Sequence, residues 1–263
     1  MAQSALLTIM TGTARKAARS LKRDFGEVEN LQVSRKGPAD FVSAADQRAE
    51  EVIFEELHRS RPTYSFLMEE RGAIEGSDGQ HRWIVDPLDG TTNFLHSIPA
   101  FAVSIGLERN GVMVAGVIYN PITEELFTAE RGSGAYVNNR RLRVAGRTHL
   151  ADCVAVTGIK HTGRTAEDTK TIAQVAKLNP SVAGIRRTGS AALDMAWVAA
   201  GRFDLMWETG LKPWDIAAGM LMIREAGGTI TDINGKDLTP EGGSVLAGNE
   251  KVHSKLLKAL KTV

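Results

Sequence analysis

The residues best placed to do chemistry lie in one run, Trp83-Ile84-Val85-Asp86-Pro87-Leu88-Asp89-Gly90-Thr91-Thr92-Asn93. An apolar strand runs there into an acidic segment. With Pro87 at the second position of a β-turn, Asp86 and Asp89 take the first and last positions, and their Cα atoms come within about 7 Å. Carboxylates that close repel, and one protonates unless a cation lies between them. The Leu88 carbonyl faces the same region as a third oxygen. Such hard donors suit Mg²⁺, Mn²⁺ or Ca²⁺ rather than zinc. The six histidines are scattered and show no zinc-ligand spacing. The N–H groups of Gly90 and Thr91, at the mouth of the next element, are suited to cradle a phosphate. Alone, the same residues also make an ordinary surface turn.

Three further acidic features bear on the choice. Glu69-Glu70 follows the apolar run Ser65-Phe66-Leu67-Met68, where a solvated loop pair is the plainer reading. Trp214-Asp215 opens a helix whose stripe is Ile216, Ala217, Met220, Leu221 and Ile223 and which stops at Gly227-Gly228; Asp215 also suits the positive end of any helix. Asp40 and Asp46 flank the start of another helix, where Asp46 would serve as a plain helix-start carboxylate.

These residues need a frame. The spacing predicts an amphipathic helix over about residues 3–24 and a second over about 43–58, with Ala45, Ala49, Val52, Ile53 and Leu57 buried. Between them, residues 36–43 read as a loop because Gly37-Pro38 breaks both patterns. Strands are expected at 64–68 and 82–85. Two more, 101–108 and 112–119, should form a hairpin closed by Asn110-Gly111, since both turn positions need positive φ. A strand at 126–129 and a small hairpin of 135–137 with 142–144 follow. Beyond about residue 150 strands and helices alternate: strands at 154–157, 185–187, 205–207, 229–231 and 245–247, and helices at 166–178, 191–200, 215–226 and 251–260. That alternation argues for a layered α/β half behind an α+β half with an antiparallel sheet. The division falls near residue 146, giving 1–146 and 147–263.

Composition narrows the function. The chain has 263 residues, 43% apolar and 24% charged, which is an ordinary globular balance. With 32 basic against 31 acidic residues, net charge +1, nothing favours nucleic acid or a membrane surface. The cluster Arg140-Arg141-Leu142-Arg143 reads as a solvated hairpin edge. Cys153, the single cysteine, excludes an internal disulfide and reads as core filler. The N-terminus lacks the pattern of a signal peptide, and no segment approaches the roughly 18 consecutive apolar residues of a membrane span. A soluble cytoplasmic protein is expected. No P-loop or dinucleotide-binding glycine run follows a strand.

The run Asp86-Pro87-Leu88-Asp89-Gly90-Thr91-Thr92-Asn93-Phe94 together with Trp214-Asp215-Ile216-Ala217-Ala218-Gly219 resembles the two signature motifs of the inositol monophosphatase family. Lys36-Gly37-Pro38-Ala39-Asp40, Gly132-Ser133-Gly134-Ala135-Tyr136 and Leu246-Ala247-Gly248-Asn249 match as well, so the similarity spans nearly the whole chain. The form Leu211-Lys212-Pro213-Trp214-Asp215 looks like the bacterial branch.

The resemblance implies a layered αβαβα sandwich of the sugar-phosphatase type. It implies Mg²⁺-dependent hydrolysis of a small phosphate monoester, myo-inositol monophosphate first, with two or three Mg²⁺ per site. Glu69, Asp86 and the Leu88 carbonyl would bind one ion and Asp86, Asp89 and Asp215 a second, with Glu69 helping to hold a third through waters. Asp46 and Thr91 would orient the attacking water, and Gly90 and Thr91 would donate N–H bonds to phosphate. Glu208 would grip sugar hydroxyls, Gly189, Ser190 and Ala191 would line the pocket, and Lys36 and Asp40 would sit on a mobile loop. A homodimer is implied too. Related phosphatases act on histidinol phosphate, fructose 1,6-bisphosphate or 3′-phosphoadenosine 5′-phosphate, and some bacterial relatives act as partners of the transcription and ribosome-assembly machinery. Met68 departs from the small residue often found before the Glu-Glu pair, and Asn138-Asn139 replaces the commoner Asn-Gly; neither removes a ligand.

Overall fold

The computed structural model describes residues 4–25, 33–37, 40–159 and 166–261. The chain opens with α1 (Ala5–Asp24), started by the Ser4 side chain, which accepts the Leu7 N–H at 3.1 Å. Next come a two-stranded ribbon, β1 (Val33–Gly37) and β2 (Asp40–Ser43), and the helix α2 (Ala44–Ser60).

An eight-stranded sheet follows: β3 (Ser65–Met68), β4 (Gly72–Ile74), β5 (His81–Asp89), β6 (Ala102–Arg109), β7 (Val112–Asn120), β8 (Glu125–Glu130), β9 (Gly134–Val137) and β10 (Arg140–Arg141). A five-residue helix, α3 (Thr91–Leu95), interrupts it after β5. The sheet order is β10-β9-β8-β7-β6-β5-β3-β4. It is antiparallel, as expected of this half, except where β3 lies parallel to β5. The second sheet is mixed, in the order β12-β11-β13-β15-β14: β11 (Val154–Val156), β12 (Gly184–Arg186), β13 (Leu205–Leu211), β14 (Thr229–Thr231) and β15 (Gly243–Gly248). Between these strands run α4 (Ala166–Leu178), α5 (Ala191–Ala199) and α6 (Pro213–Glu225), and α7 (Glu250–Leu260) closes the chain.

The alternation of side chains along each strand turns these elements into five layers. On β5, Trp83 and Val85 pack with Met10, Ala14 and Leu21 of α1 and Ile53 and Leu57 of α2. Ile84, on the opposite face, joins Leu193 of α5 and Ile216 and Met220 of α6. That middle layer is sealed from below by Val156, Met206, Val245 and Ala247 of the second sheet. The far face of the second sheet, including Ala155, Leu205 and Trp207, packs on Leu178 of α4 and Leu256 of α7. The result is the expected αβαβα sandwich. Helices α5 and α6, apolar nearly all round, are buried on both sides for this reason.

The hairpin at Asn110-Gly111 forms with both residues at positive φ, 51° and 79°. Two local expectations need correction. The small hairpin closes directly through Asn138-Asn139, φ 46° and 67°, so its second strand is Arg140–Arg141 rather than 142–144. Residues 36–43, expected as a loop, include the end of β1 and all of β2, with Gly37 opposite Asp40. Antiparallel pairing satisfies the backbone of both strands there.

Candidate active site

The acidic run forms the end of β5, not a separate β-turn. Opposite it, Asp86 pairs with Ser104 and Asp89 with Ala102, so three steps on β5 face two on β6. That is a β-bulge. Neighbours on both sides hold the strand in the sheet, and Pro87, which has no N–H to give the ladder, is tolerated at the bulge. The Asp86 carboxylate accepts the Leu88 N–H at 2.9 Å and braces the kink. In a regular strand, residues three apart point to opposite faces. The extra residue brings Asp86 and Asp89 to one side.

There they meet Asp215. Carboxylate oxygens of Asp86, Asp89 and Asp215 all lie within 4.8 Å of one another. Asp215 sits in the first turn of α6, where its Oδ2 accepts the Lys212 N–H at 2.8 Å. Gly106 and Gly116 let α6 approach this close to the sheet: a Cβ on either would crowd Ala217 or Ala218. Glu69 arrives through the parallel pairing of β3 with β5. Met68 lies beside Val85, the Glu69 N–H donates to the Val85 carbonyl at 3.3 Å, and the Glu69 carboxyl is hydrogen-bonded to Asp86. Burial, followed by the charges of Glu69, Asp89 and Asp215, pushes the Asp86 carboxyl well above the usual carboxylate range. So crowded a set of acids is relieved by a proton or by a cation. Among the described residues the groups that meet there offer carboxylate oxygens, which suit a hard ion with bonds of about 2.0–2.6 Å.

At Gly90 the chain turns with φ 95° into α3. Thr91 therefore faces back toward the bulge, its Oγ 3.1 Å from the Leu88 carbonyl and 3.1 Å from Oδ1 of Asp46. Asp46 is buried in the first turn of α2. The strand β2 packs beside α3, which brings the ribbon carrying Lys36 and Asp40 near Thr91; the side chains of Lys36 and Asp40 lie outside the described residues.

The segment Gly189-Ser190-Ala191 leads into α5 and is tied to the acidic cluster. Ser190 caps the helix, and its hydroxyl donates to Asp89 Oδ2 at 2.5 Å; the Ala192 N–H donates to the same oxygen at 2.7 Å. Asn93 fastens the segment from the other side, donating to the carbonyls of Thr188 at 2.8 Å and Ala100 at 2.6 Å. Asp194, buried one turn into α5, accepts the Thr188 hydroxyl at 2.5 Å, and burial raises its carboxyl far above the ordinary range. Sequence reasoning quoted Asn93 in the motif without giving it a role, and missed Asp194. A Ser just before a helical run signals a cap, but nothing in the chain announces its partner Asp89.

Glu208, buried on β13, lies across the backbone of Gly158, where any Cβ would collide with the Glu208 carboxylate. The Gly158→Ala variant should therefore expel Glu208 from its seat. If Glu208 binds a hydroxylated substrate, KM for that substrate rises roughly 10-fold or more, the effect of losing one charged hydrogen bond. KM for p-nitrophenyl phosphate, which has no polyol, should move far less. Equal shifts for both would remove Glu208 from substrate recognition.

Known proteins resemble this chain along nearly its full length. The model of the inositol monophosphatase family matches residues 2–263. The chain is 62% identical over 261 residues to the inositol-1-monophosphatase of Mesorhizobium japonicum, covering 99% of this chain and 98% of the relative. It is 41% identical over 256 residues to the Nus factor SuhB of Escherichia coli, covering 97% and 96%. The crystal structure of the extragenic suppressor protein suhB from Bartonella henselae superposes with a TM-score of 0.94 at 56% identity, covering 98% of this chain and 99% of that one. The acidic bulge, the helix that brings Asp215 to it and the likeness along the full chain lead to one assignment: the chain belongs to the inositol monophosphatase family.

Proposed function

We propose that the protein hydrolyses small phosphate monoesters with Mg²⁺, and that its substrate is myo-inositol monophosphate. The convergence of Asp86, Asp89 and Asp215, with Glu69 hydrogen-bonded to Asp86, carries the reading. Glu69, Asp86 and the Leu88 carbonyl would hold one ion, Asp86, Asp89 and Asp215 another, and Glu69 a third through waters. Bound Mg²⁺ supplies a coordinated water of lowered pKa and neutralises phosphoryl charge.

The remaining steps belong to the chain. Thr91 takes a proton from the attacking water as its own hydroxyl proton passes to Asp46, 3.1 Å away. The N–H groups of Gly90 and Thr91 receive the phosphate oxygens. The new P–O bond forms as the ester P–O bond breaks, and the leaving alkoxide is protonated by water. Glu208 and the Gly189-Ser190-Ala191 segment orient the polyol, while Lys36 and Asp40 close over it. In this division of labour residues 1–146 supply the phosphate and most metal contacts, and residues 147–263 supply Asp215 and the substrate pocket. The same reading makes the protein a cytoplasmic homodimer, which light scattering and cell fractionation test.

The deciding experiment is a panel of myo-inositol monophosphate, histidinol phosphate, fructose 1,6-bisphosphate and 3′-phosphoadenosine 5′-phosphate, assayed with Mg²⁺ and with chelator. The inositol ester should have the highest kcat/KM, and chelator should abolish turnover of all four. A better ester elsewhere in the panel would overturn the substrate, and chelator-resistant turnover would overturn the metal. Mg²⁺ at about 100 times its dissociation constant adds about 2.7 kcal/mol to stability. The chelator-treated protein should accordingly gain several degrees in Tm when Mg²⁺ is restored. An unchanged Tm would count against the site.

The likeness to a Nus factor supports a second role as a partner of transcription machinery. The Asp89→Asn variant should then still retain RNA polymerase factors in a pull-down. Failure of both wild type and variant to do so would remove that role.

A further inference from the structure

Asp46 and Glu50 are four residues apart on α2, so they stand one above the other on a single face. Asp46 faces Thr91. Glu50 is 1% exposed and has no part in the chemistry described above. Its Oε2 accepts the Glu70 N–H at 2.8 Å, and its Oε1 lies 3.5 Å from Nε of Arg71. A buried acid is costly unless hydrogen-bonded, and an apolar residue would fill the same space more cheaply. What an apolar residue would not supply is an acceptor for the Glu70 N–H and a partner for the Arg71 guanidinium.

Glu70 and Arg71 belong to the turn that leaves β3 and carries Glu69. Across that turn the Glu69 N–H is held by Val85 of β5, and the next one by Glu50. The α2 helix grips the turn further along: the Arg71 guanidinium lies 4.7 Å from the Phe54 ring centre and pairs with Glu51. The backbone on either side of Glu69 is thus pinned between a strand and a buried carboxylate.

We infer that Glu50 is a positioning residue that fixes the Glu69–Arg71 turn, aims the Glu69 carboxylate at Asp86 and thereby sets the protein's affinity for divalent metal. The inference rests on the reading of Glu69 as a metal ligand. It is tested on the full chain by calorimetric titration of Mn²⁺ into chelator-treated protein, with circular dichroism confirming the fold at the titration temperature.

Glu50→Gln keeps an oxygen at the same reach and should bind Mn²⁺ within about 3-fold of wild type. Glu50→Ala removes the acceptor, and Glu50→Asp keeps the charge but withdraws it. Both should weaken Mn²⁺ by about 10-fold or more, the usual cost of losing a residue that orients a metal ligand. Glu50→Asp stands in if Glu50→Ala fails to fold. Folded Ala and Asp variants that bind Mn²⁺ like wild type would overturn the inference and leave Glu50 a stabiliser of the turn. A Gln variant as weak as Ala would overturn it too, since charge rather than reach would then matter. Glu69→Gln separates the two levels of the account: if it binds Mn²⁺ as well as wild type, the ligand assignment beneath the inference is wrong.

Discussion

Asp89→Asn lowers kcat by at least about 10³-fold at saturating Mg²⁺ and leaves the protein folded. A factor of 10³ corresponds to about 4 kcal/mol of lost transition-state stabilisation. A bound divalent ion supplies several kcal/mol at the phosphoryl oxygens, so weakening its hold can cost that much. The fold should survive because the amide oxygen of Asn can still accept from the Ser190 hydroxyl and the Ala192 N–H, which Asp89 engages now. The metal-free variant should in fact melt at or above the wild-type temperature, because one of four crowded acids has lost its charge. Steady-state kinetics and a melting curve in chelator check both halves. Turnover within a few-fold of wild type would show that Asp89 does not bind the working metal.

Thr91→Ala has the second-largest expected effect. Its hydroxyl lies 3.1 Å from both Asp46 and the Leu88 carbonyl and so joins a buried acid of α2 to the bulge. Losing a proton-transfer group costs about 10²–10⁴ in kcat. The carboxylates stay in place, so the Mg²⁺ concentration for half-maximal activity should move much less than kcat. Thr91→Ser keeps the hydroxyl and should recover most of the rate. A Ser variant as slow as Ala would assign Thr91 a packing role instead of a chemical one.

How much of this could be read from the chain depends on the range over which each feature is decided. Helix faces such as Ala45, Ala49, Ile53 and Leu57, and the turn at Asn110-Gly111, are settled by neighbours a few residues away and were visible. The acidic residues were visible as types, and the family resemblance supplied their roles. Their geometry was not visible. Pro87 and Gly90 look like turn residues, yet β6 and β3 keep Asp86–Asp89 in the sheet as a bulge. The pairing of β3 with β5 is parallel and crosses β4, which no local pattern signals. The bond from Ser190 to Asp89 spans 101 residues, and Glu50 reads on sequence as one more helical acid.

The central claim is that carboxylates from distant parts of the chain bind shared divalent ions. Anomalous diffraction from crystals grown with Mn²⁺ tests it most directly. The account predicts one peak bounded by Glu69, Asp86 and the Leu88 carbonyl and a second bounded by Asp86, Asp89 and Asp215. Crystals at millimolar Mn²⁺ with no peak among these residues, or with the metal elsewhere, would contradict it.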